Sequence, residues 1–375
     1  MPIIIDGVIN YYSGSKNLPV GMVVQSPLND LGPSFIKLNI AQILTRANYP
    51  DLSGLTPGTI AAGQVFEKIS QLPTYLTNIA YSNTITGTRY VSIKSGKLYY
   101  SIDGVTWSLS LFTDTVNSYT VIWCGAPLNL FFAMRASSAT AYTSPDGVTW
   151  TPRTLAAAPT YAVPRWNGAV ICIASTTTTV QTSSNAIDWS IIPIGGTQPW
   201  VHLGNLGTQL LLFPPSLAAY YLSTDNGANW SVKTFPAATS TLVYSATDNS
   251  ILVVYSPIAN SIAYYTTLDG INWTIRNFPV SLAASSLVCN GTTFMVGVTN
   301  DNKFLLSANG YDWSEYPLPA NNMSMYGLTA DPSGTFLFTS TDYGVYRSMT
   351  PSASQIVITP VASPTAGLNY FMVVL

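Results

Sequence analysis

The chain has 375 residues, of which 47% are hydrophobic and only 8% are charged, and its formal net charge is −2. Ordinary soluble domains carry about 25% charged residues, so this composition excludes a basic nucleic-acid-binding face and a charge-rich disordered chain. The remaining class is an all-β protein, rich in Ser, Thr and Tyr, with a large apolar core. We expect no nucleic-acid partner.

The first residues, MPIIIDGVIN, lack the basic region and long apolar run of a secretory signal. No apolar run predicts a membrane span, because Gly, Pro, Ser or Thr interrupts each one. Cys124, Cys172 and Cys289 lie in apolar, strand-like runs, which favours small buried side chains over disulfides or a metal site. We expect synthesis in the cytoplasm, no membrane insertion, and neither metal nor cofactor.

Residues 1–60 follow no repeat and are predicted to form a small β-rich N-terminal domain. Two stretches stand out, PVGMVVQSP at Pro19–Pro27 and FIKLNIAQILTRANYPDL at Phe35–Leu52. Within the second, Arg46 precedes the Tyr49-Pro pair by three positions. Together these stretches resemble the tail-collar module of bacteriophage tail fibres. The resemblance implies a domain that attaches to other virion proteins. It leaves open whether the chain forms a homo-oligomer.

The chain departs from the collar pattern at one turn, because Asn39 is followed by Ile40 where the family has a glycine. A β-rich cap unrelated to phages is therefore the alternative for this domain. Residues 61–74 are predicted to be a linker, in which GQVFEKI has the composition of one short helix.

One phrase recurs about every 41 residues through the predicted propeller, residues 75–366. Its six copies are SIDGVTW at Ser101–Trp107, SPDGVTW at Ser144–Trp150, SSNAIDW at Ser183–Trp189, STDNGANW at Ser223–Trp230, TLDGINW at Thr267–Trp273 and SANGYDW at Ser307–Trp313. A seventh unit around Ser348 keeps flanking strand-like runs but lacks the Asp, Gly and Trp.

Each period contains four short runs of β-branched and aromatic residues, bounded by Gly, Pro, Asn and Asp. Seven such units predict a seven-bladed β-propeller of four-stranded antiparallel blades. The phrase would join the third strand to the fourth, with the acid or amide accepting turn hydrogen bonds and the Trp wedging between blades. The residues given this structural role are Asp103, Trp107, Asp146, Trp150, Asn185, Trp189, Asp225, Trp230, Asp269, Trp273, Asn309 and Trp313.

These phrases resemble the Asp-box, or BNR, repeat of sialidases and of many non-enzymatic propellers, although only Ser223–Trp230 keeps its full spacing. A sialidase would need three arginines for the substrate carboxylate, a Tyr nucleophile assisted by a Glu, and an Asp acid/base. The chain has two glutamates, Glu67 before the propeller and Glu315 just after a repeat Trp. We therefore expect a sialidase-like fold without catalysis. His202 has no evident nucleophile partner and is expected on an inner strand.

Several units place an aromatic residue near the start of the first, innermost strand. These candidate binding residues are Tyr75, Tyr119, Tyr161, Trp200 and Tyr326. A ring of aromatics at one face of the funnel would stack on sugars or form a protein-binding hot spot. Packing between blades is the alternative. Trp166, in a WNG turn, is a separate candidate, and the low charge favours a neutral glycan or protein ligand.

Residues 367–375 form an apolar strand beyond the seventh unit. An exposed apolar edge invites aggregation, so we expect this strand to be covered. It would close the ring, pair with the segment around Ile3–Ile9, or add to a neighbouring subunit.

The resemblances imply a non-enzymatic virion protein of a bacteriophage tail or fibre apparatus. The N-terminal domain would bind other tail, baseplate or fibre proteins, and the propeller would contact a host-surface glycan or protein. One alternative is a decoration or assembly protein that contacts only virion proteins. Others are a diverged glycan hydrolase and an assembly-factor propeller like those of photosynthetic bacteria.

Overall fold

The computed structural model describes two parts of the chain. One part is the strands within residues 2–45, 355–358 and 369–373. The other is residues 66–348 except 72–76, 83–89, 95, 113, 115–118, 197–199, 201, 216–217, 238–242, 256–261, 281–283, 299–302, 319–323, 331–334, 341 and 343. All assigned elements are β-strands. In this described part, no helix has the length and apolar character needed to cross a bilayer.

The chain divides into two compact units, and the first comprises Met1–Phe66 with Ser348–Leu375. Its strands are β1 (Pro2–Ile5), β2 (Val8–Tyr11), β3 (Val23–Ser26), β4 (Phe35–Lys37), β5 (Gln42–Thr45), β34 (Gln355–Ile358) and β35 (Asn369–Val373). Five of them form an antiparallel sheet in the order β2-β1-β3-β35-β4, and β34 pairs with β5. The two ends of the chain therefore build one unit together.

The second unit, Glu67–Arg347, contains seven antiparallel four-stranded blades, as predicted. Blades 1 to 3 consist of β7 (Thr77–Tyr81), β8 (Tyr90–Lys94), β9 (Lys97–Ser101) and β10 (Ser108–Leu109); β11 (Tyr119–Cys124), β12 (Leu130–Arg135), β13 (Thr140–Ser144) and β14 (Thr151–Thr154); and β15 (Val163–Trp166), β16 (Ile171–Ala174), β17 (Thr179–Ser183) and β18 (Ser190–Pro193).

Blades 4 to 6 continue the same order. They consist of β19 (His202–Leu206), β20 (Gln209–Phe213), β21 (Ala219–Ser223) and β22 (Ser231–Thr234); β23 (Tyr244–Thr247), β24 (Leu252–Tyr255), β25 (Ala263–Thr267) and β26 (Thr274–Asn277); and β27 (Ala284–Cys289), β28 (Phe294–Val298), β29 (Lys303–Ser307) and β30 (Ser314–Pro317).

Blade 7 has a different origin, because its outer strand comes from the other end of the propeller sequence. It consists of β31 (Met325–Ala330), β32 (Phe336–Ser340), β33 (Gly344–Ser348) and β6 (Phe66–Gln71), in that order. Lys68 of β6 forms a 2.8 Å ion pair with Asp342, which also accepts a hydrogen bond from the Tyr346 hydroxyl. Since each inner strand contacts the next and β31 contacts β7, the ring is closed.

The observed strand arrangement differs from the predicted one in three places. Phe66–Gln71, expected in the linker and partly as a helix, is a strand of blade 7. The run QIVI at Gln355–Ile358, expected to flank the seventh phrase, pairs with β5. Blade 7 therefore has no chain connection from its third to its fourth strand, which explains why the seventh unit lacks the phrase. The terminal strand β35 pairs with β3 and β4, not with the segment around Ile3–Ile9.

The core lies between successive blades. The second strands are buried along most of their length, and Ile171–Ala174 and Leu252–Tyr255 along all of it, because neighbouring blades cover both faces. The outer strands are mostly exposed, as in Thr151–Thr154. Each of the seven small sheets is apolar on both faces. Because the blades stack around an axis, each face is covered by a neighbouring blade and removed from water.

Candidate binding site

The repeated turn, the name used below for the six phrase copies, joins the third and fourth strands of blades 1 to 6. In blade 1, Ser101 Oγ accepts a hydrogen bond from the Gly104 amide at 2.8 Å. Asp103 Oδ1 accepts hydrogen bonds from the amides of Val105 and Thr106, both at 2.8 Å. These bonds satisfy polar groups that the tight turn leaves unpaired, so the acid acts within the turn as the sequence predicts.

The glycine of the repeated turn meets two requirements at once. Gly104 has a φ of 75°, and a Cβ built there would lie 2.7 Å from Leu337 Cδ1 of the preceding blade. Gly310 has a φ of 74°, and its Cβ would lie 2.9 Å from Val253 Cγ2, again in the preceding blade. Blade 3 has Ala186 at this position with a φ of 61°. Blade 3 therefore accommodates a Cβ at this position, whereas in blades 1 and 6 the close approach of the preceding blade adds a second constraint to the positive φ.

The tryptophans of the repeated turn wedge between blades. Trp150 of blade 2 packs against the cluster that contains Val91 of blade 1 and Phe131 of blade 2, and its indole donates a 2.8 Å hydrogen bond to Ser110 Oγ of blade 1. Trp107, Trp189, Trp230 and Trp273 likewise pack into the clusters between their own blade and the one before. This packing joins each blade to its neighbour.

In three of the repeated turns, the residue that accepts the backbone hydrogen bonds also bonds to the side chain three positions later. One of the two residues is an aspartate and the other an asparagine, and their order differs between turns. In blade 5, Asn272 Nδ2 donates to Asp269 Oδ2 at 2.6 Å. In blade 3, Asn185 takes the acceptor position, and its Nδ2 donates to Asp188 Oδ2 at 2.8 Å. Blade 6 repeats the second arrangement with Asn309, whose Nδ2 donates to Asp312 at 2.8 Å. Each of these pairs contains one carboxylate and one amide, so an N–H donor meets a carboxylate oxygen and two carboxylates do not face each other.

The turn aspartates, Asp103, Asp146, Asp225 and Asp269, all have a pKa below the ordinary value. Partial burial raises the pKa of Asp103, but hydrogen bonds from the amides of Thr106 and Val105 outweigh it. For Asp269, the hydrogen bond from the Asn272 amide is the largest cause of the lowered pKa. These carboxylates therefore accept hydrogen bonds within their own turns, which stabilise the charged form.

Two of the predicted binding aromatics are almost fully buried between blades. Tyr119 is 4% exposed; its hydroxyl donates to Asp114, and its ring meets Phe112 edge to face at 5.2 Å. Trp200 is 2% exposed, and its indole donates to the Thr176 carbonyl at 2.6 Å. Neither ring has a free face for stacking, so the structure corrects their role to packing. Their burial follows from the packing of adjacent blades, which the repeat period does not reveal.

The other predicted aromatics divide between packing and undescribed positions. Tyr161 is half-buried and packs against the cluster between blades 3 and 4. Tyr75 and the side chain of Tyr326 lie outside the described residues. Glu315 lies on the outer strand β30, where it forms a 3.1 Å ion pair with Lys303.

A cavity of about 370 Å³ lies in the central channel, and inner strands from all seven blades line it. Its lining combines amides and hydroxyls with one guanidinium and two indoles, namely Asn78, Asn205, Ser245, Thr247, Arg165, Trp123 and Trp166. Cys289 also borders it, whereas Cys124 and Cys172 are buried as expected. Burial raises the pKa of all three thiols.

Hydrogen bonds between neighbouring inner strands fix the polar groups of this cavity. Arg165 Nε donates to Asn205 Oδ1 at 2.9 Å, which links blade 3 to blade 4. His202 Nε2 lies 2.6 Å from Ser245 Oγ, which links blade 4 to blade 5. Asn78 Oδ1 accepts a 2.7 Å hydrogen bond from the Val121 amide, which links blade 1 to blade 2.

The Arg165 network is not among the predicted binding residues, although the sequence carries a signal for it. Arg165, Asn205 and Ser245 are spaced 40 positions apart, one repeat length, and fall on consecutive inner strands. Among these three repeats, the position holds one cation and two neutral residues. Trp166 lines the same cavity and is half-buried.

Arg165 is the one charged side chain among the described residues that line the cavity. Desolvation lowers the pKa of Arg165 to about 10, so the guanidinium stays charged at neutral pH. Desolvation, and then the charge of Arg165, lower the pKa of His202 to about 3, so the imidazole is neutral. Among the described residues, no three His, Cys, Asp or Glu side chains come close enough together to hold a metal ion.

No protein-family model matches the chain, and no curated protein sequence matches it. Solved propellers do resemble the structure. A streptogramin B lyase is 13% identical with a TM-score of 0.61, over 76% of this chain and 98% of the lyase. YCF48 from Cyanidioschyzon merolae is 12% identical with a TM-score of 0.58, over 77% and 99% of the two chains.

The propeller domain of Cps50 (Swd1) from Myceliophteria thermophila is 9% identical with a TM-score of 0.56, over 77% of this chain and all 100% of that domain. YCF48 bound to a D1 peptide, 14% identical with a TM-score of 0.57, covers 79% of this chain and 99% of its own. Identities this low show a shared fold and nothing about activity. The chain is a seven-bladed β-propeller protein with a second β unit.

Proposed function

We propose that this protein is a non-enzymatic binding protein of a bacteriophage tail or fibre apparatus, and that its propeller is a rigid platform contacting the host surface. The observation that carries the binding role is the central cavity, in which inner strands of all seven blades hold amides, hydroxyls, indoles and one guanidinium. Such groups bind by hydrogen bonding and stacking, and pocket volumes of about 300–1,000 Å³ are typical of ligand sites.

Rigidity supports the same role. Repeated turns, tryptophan wedges and inner-strand hydrogen bonds join neighbouring blades. A platform that does not rearrange loses little conformational entropy when it binds. One of the similar solved propellers is described as bound to a peptide, so the fold is compatible with a contact role.

The phage context rests on the resemblance of Pro19–Pro27 and Phe35–Leu52 to the tail-collar module, and on the resemblance of the repeated turn to the Asp-box. In this proposal the N-terminal segment attaches to other virion proteins and the protein resides in the virion. Mass spectrometry of purified phage particles, from cells that carry this gene, tests that step. Absence of the chain from the particles would refute it.

The platform role is tested by saturable binding of the labelled full-length chain to bacterial envelopes. Trp166→Ala alters the cavity, and Val232→Ser on the exposed face of β22 is the matched surface control. We expect binding by wild type and control that is lost in Trp166→Ala, once both variants show the wild-type circular dichroism spectrum. Equal binding by all three would exclude the cavity as the contact surface. Binding only to other virion proteins would favour decoration, and release of reducing sugar would favour hydrolysis.

A further inference from the structure

Arg165 carries a positive charge in the channel without a negative partner in the described part of the chain. Its Nε donates to the neutral amide oxygen of Asn205 at 2.9 Å. The ion pairs found among the described residues are Lys68–Asp342 and Lys303–Glu315, and neither includes Arg165. Arg165 borders the cavity, so a ligand in the channel lies beside this residue.

A partly buried cation without a counter-ion is costly to a fold, and Arg165 on β15 is partly buried. Desolvation is sufficient here to lower the pKa of Arg165 to about 10. The adjacent polar groups add no charge, because His202 is neutral and bonded to Ser245. A charge kept at such a cost in a concave site is typical of functional positions.

We propose that Arg165 anchors an anion-binding site in the central channel, and that its ligand is a carboxylate carried on a slender, otherwise uncharged molecule. A guanidinium presents parallel N–H donors that match a carboxylate with two hydrogen bonds. One cation balances one negative charge, whereas a doubly charged phosphate would leave excess negative charge in a cavity that holds a single cation. The inference rests on the proposed binding role of the channel, not on the phage context.

The rest of the lining supports an uncharged body for this ligand. Asn78 and Thr247 offer neutral hydrogen-bonding groups, and the indole of Trp166 offers an amphipathic surface. Ala80, Ala246 and Leu287 supply apolar wall. Acidic sugars and peptide chain ends both present a carboxylate on such a body, so the shared chemistry is the carboxylate and the experiment separates the two sources.

The test measures binding of matched pairs of small molecules to the full-length protein by calorimetry and by tryptophan fluorescence. Glucuronate is compared with glucose, and N-acetylglycine with N-acetylglycinamide. We expect at least one carboxylate to bind about 10- to 100-fold more tightly than its neutral counterpart, the range that a charged hydrogen bond supplies. The member that shows the preference identifies the source.

Two channel variants and one control complete the design. Arg165→Gln removes the charge, and Asn205→Asp places a carboxylate beside the guanidinium that would occupy it internally. Both are expected to lose the preference, and Asn205→Asp keeps the test valid if Arg165→Gln fails to fold. Arg153→Gln, on outer strand β14 where Nε donates to Thr143 at 3.0 Å, should leave it unchanged.

Equal binding of carboxylates and neutral counterparts by wild type would overturn the proposal, as would a preference that survives in both channel variants. Envelope binding without carboxylate preference would leave the platform role standing and remove only the Arg165 site. Carboxylate preference without envelope binding would support the Arg165 site and remove the platform role.

Discussion

Replacing Gly104 by alanine tests whether the repeated turn is held by its own conformation or by the neighbouring blade. The new Cβ would lie 2.7 Å from Leu337 Cδ1, with the backbone at a φ of 75°. A left-handed conformation costs an alanine about 1–2 kcal/mol. Forcing a methyl group into a packed contact adds about 1–3 kcal/mol. We therefore expect Gly104→Ala to lower the free energy of unfolding by about 2–5 kcal/mol.

Gly195→Ala is the matched control, because Gly195 has a φ of 70° and no atom within 4 Å of its Cβ position. It should show the conformational cost alone, about 1–2 kcal/mol. Urea unfolding followed by tryptophan fluorescence measures both variants against wild type. Equal losses would refute the role of the interblade contact, and Leu337→Val, which removes the clashing methyl, should relieve part of the loss in Gly104→Ala.

Three further predictions concern the turns and the interblade core. Asn272→Asp should cost about 1 kcal/mol in unfolding measurements, because two carboxylates then face each other. Asp269→Asn should cost less, since two amides can still hydrogen-bond, and the double variant should recover most of the loss. Stability should fall as the pH drops below about 4, because carboxylates with a lowered folded-state pKa stabilise the fold above their unfolded value near 3.9 and lose that contribution as they are protonated. Trp200→Ala should cost about 3–5 kcal/mol, and Trp166→Ala, at a half-buried channel position, clearly less.

Each of these has a result that contradicts it. For the exchanged pair, it is a double variant as unstable as the sum of the single changes. For acid, it is a free energy of unfolding that stays constant or rises between pH 5 and pH 2, the range in which the turn aspartates, all with lowered pKa, take up protons. For the tryptophans, it is equal destabilisation by the two alanine substitutions, which would place Trp166 in the core.

Blade number and turn chemistry were predictable from the sequence because both depend on residues close together in the chain. Asp103 accepts hydrogen bonds from amides two and three residues away, and the number of repeat units indicates the number of blades. The wedge role of Trp150 was predictable from its place at the start of an outer strand. For these features, local sequence and local structure carry the same information.

The features that only the tertiary structure decided depend on contacts between distant residues. Lys68 meets Asp342 across 274 positions, so no local pattern shows that Phe66–Gln71 completes blade 7. The terminal strand has several apolar edges available, and only the folded unit selects β3 and β4.

The candidate site shows the same division. The repeat period placed Tyr119 and Trp200 near the axis but not the direction of their rings, which the packing of adjacent blades determines. Only the closed ring identifies Arg165 as a candidate binding residue. The solvation of its charge depends on all the groups that surround it. The sequence by itself determined the blades and their turns. The closed ring determined which side chains face the channel, since that depends on contacts among all seven blades.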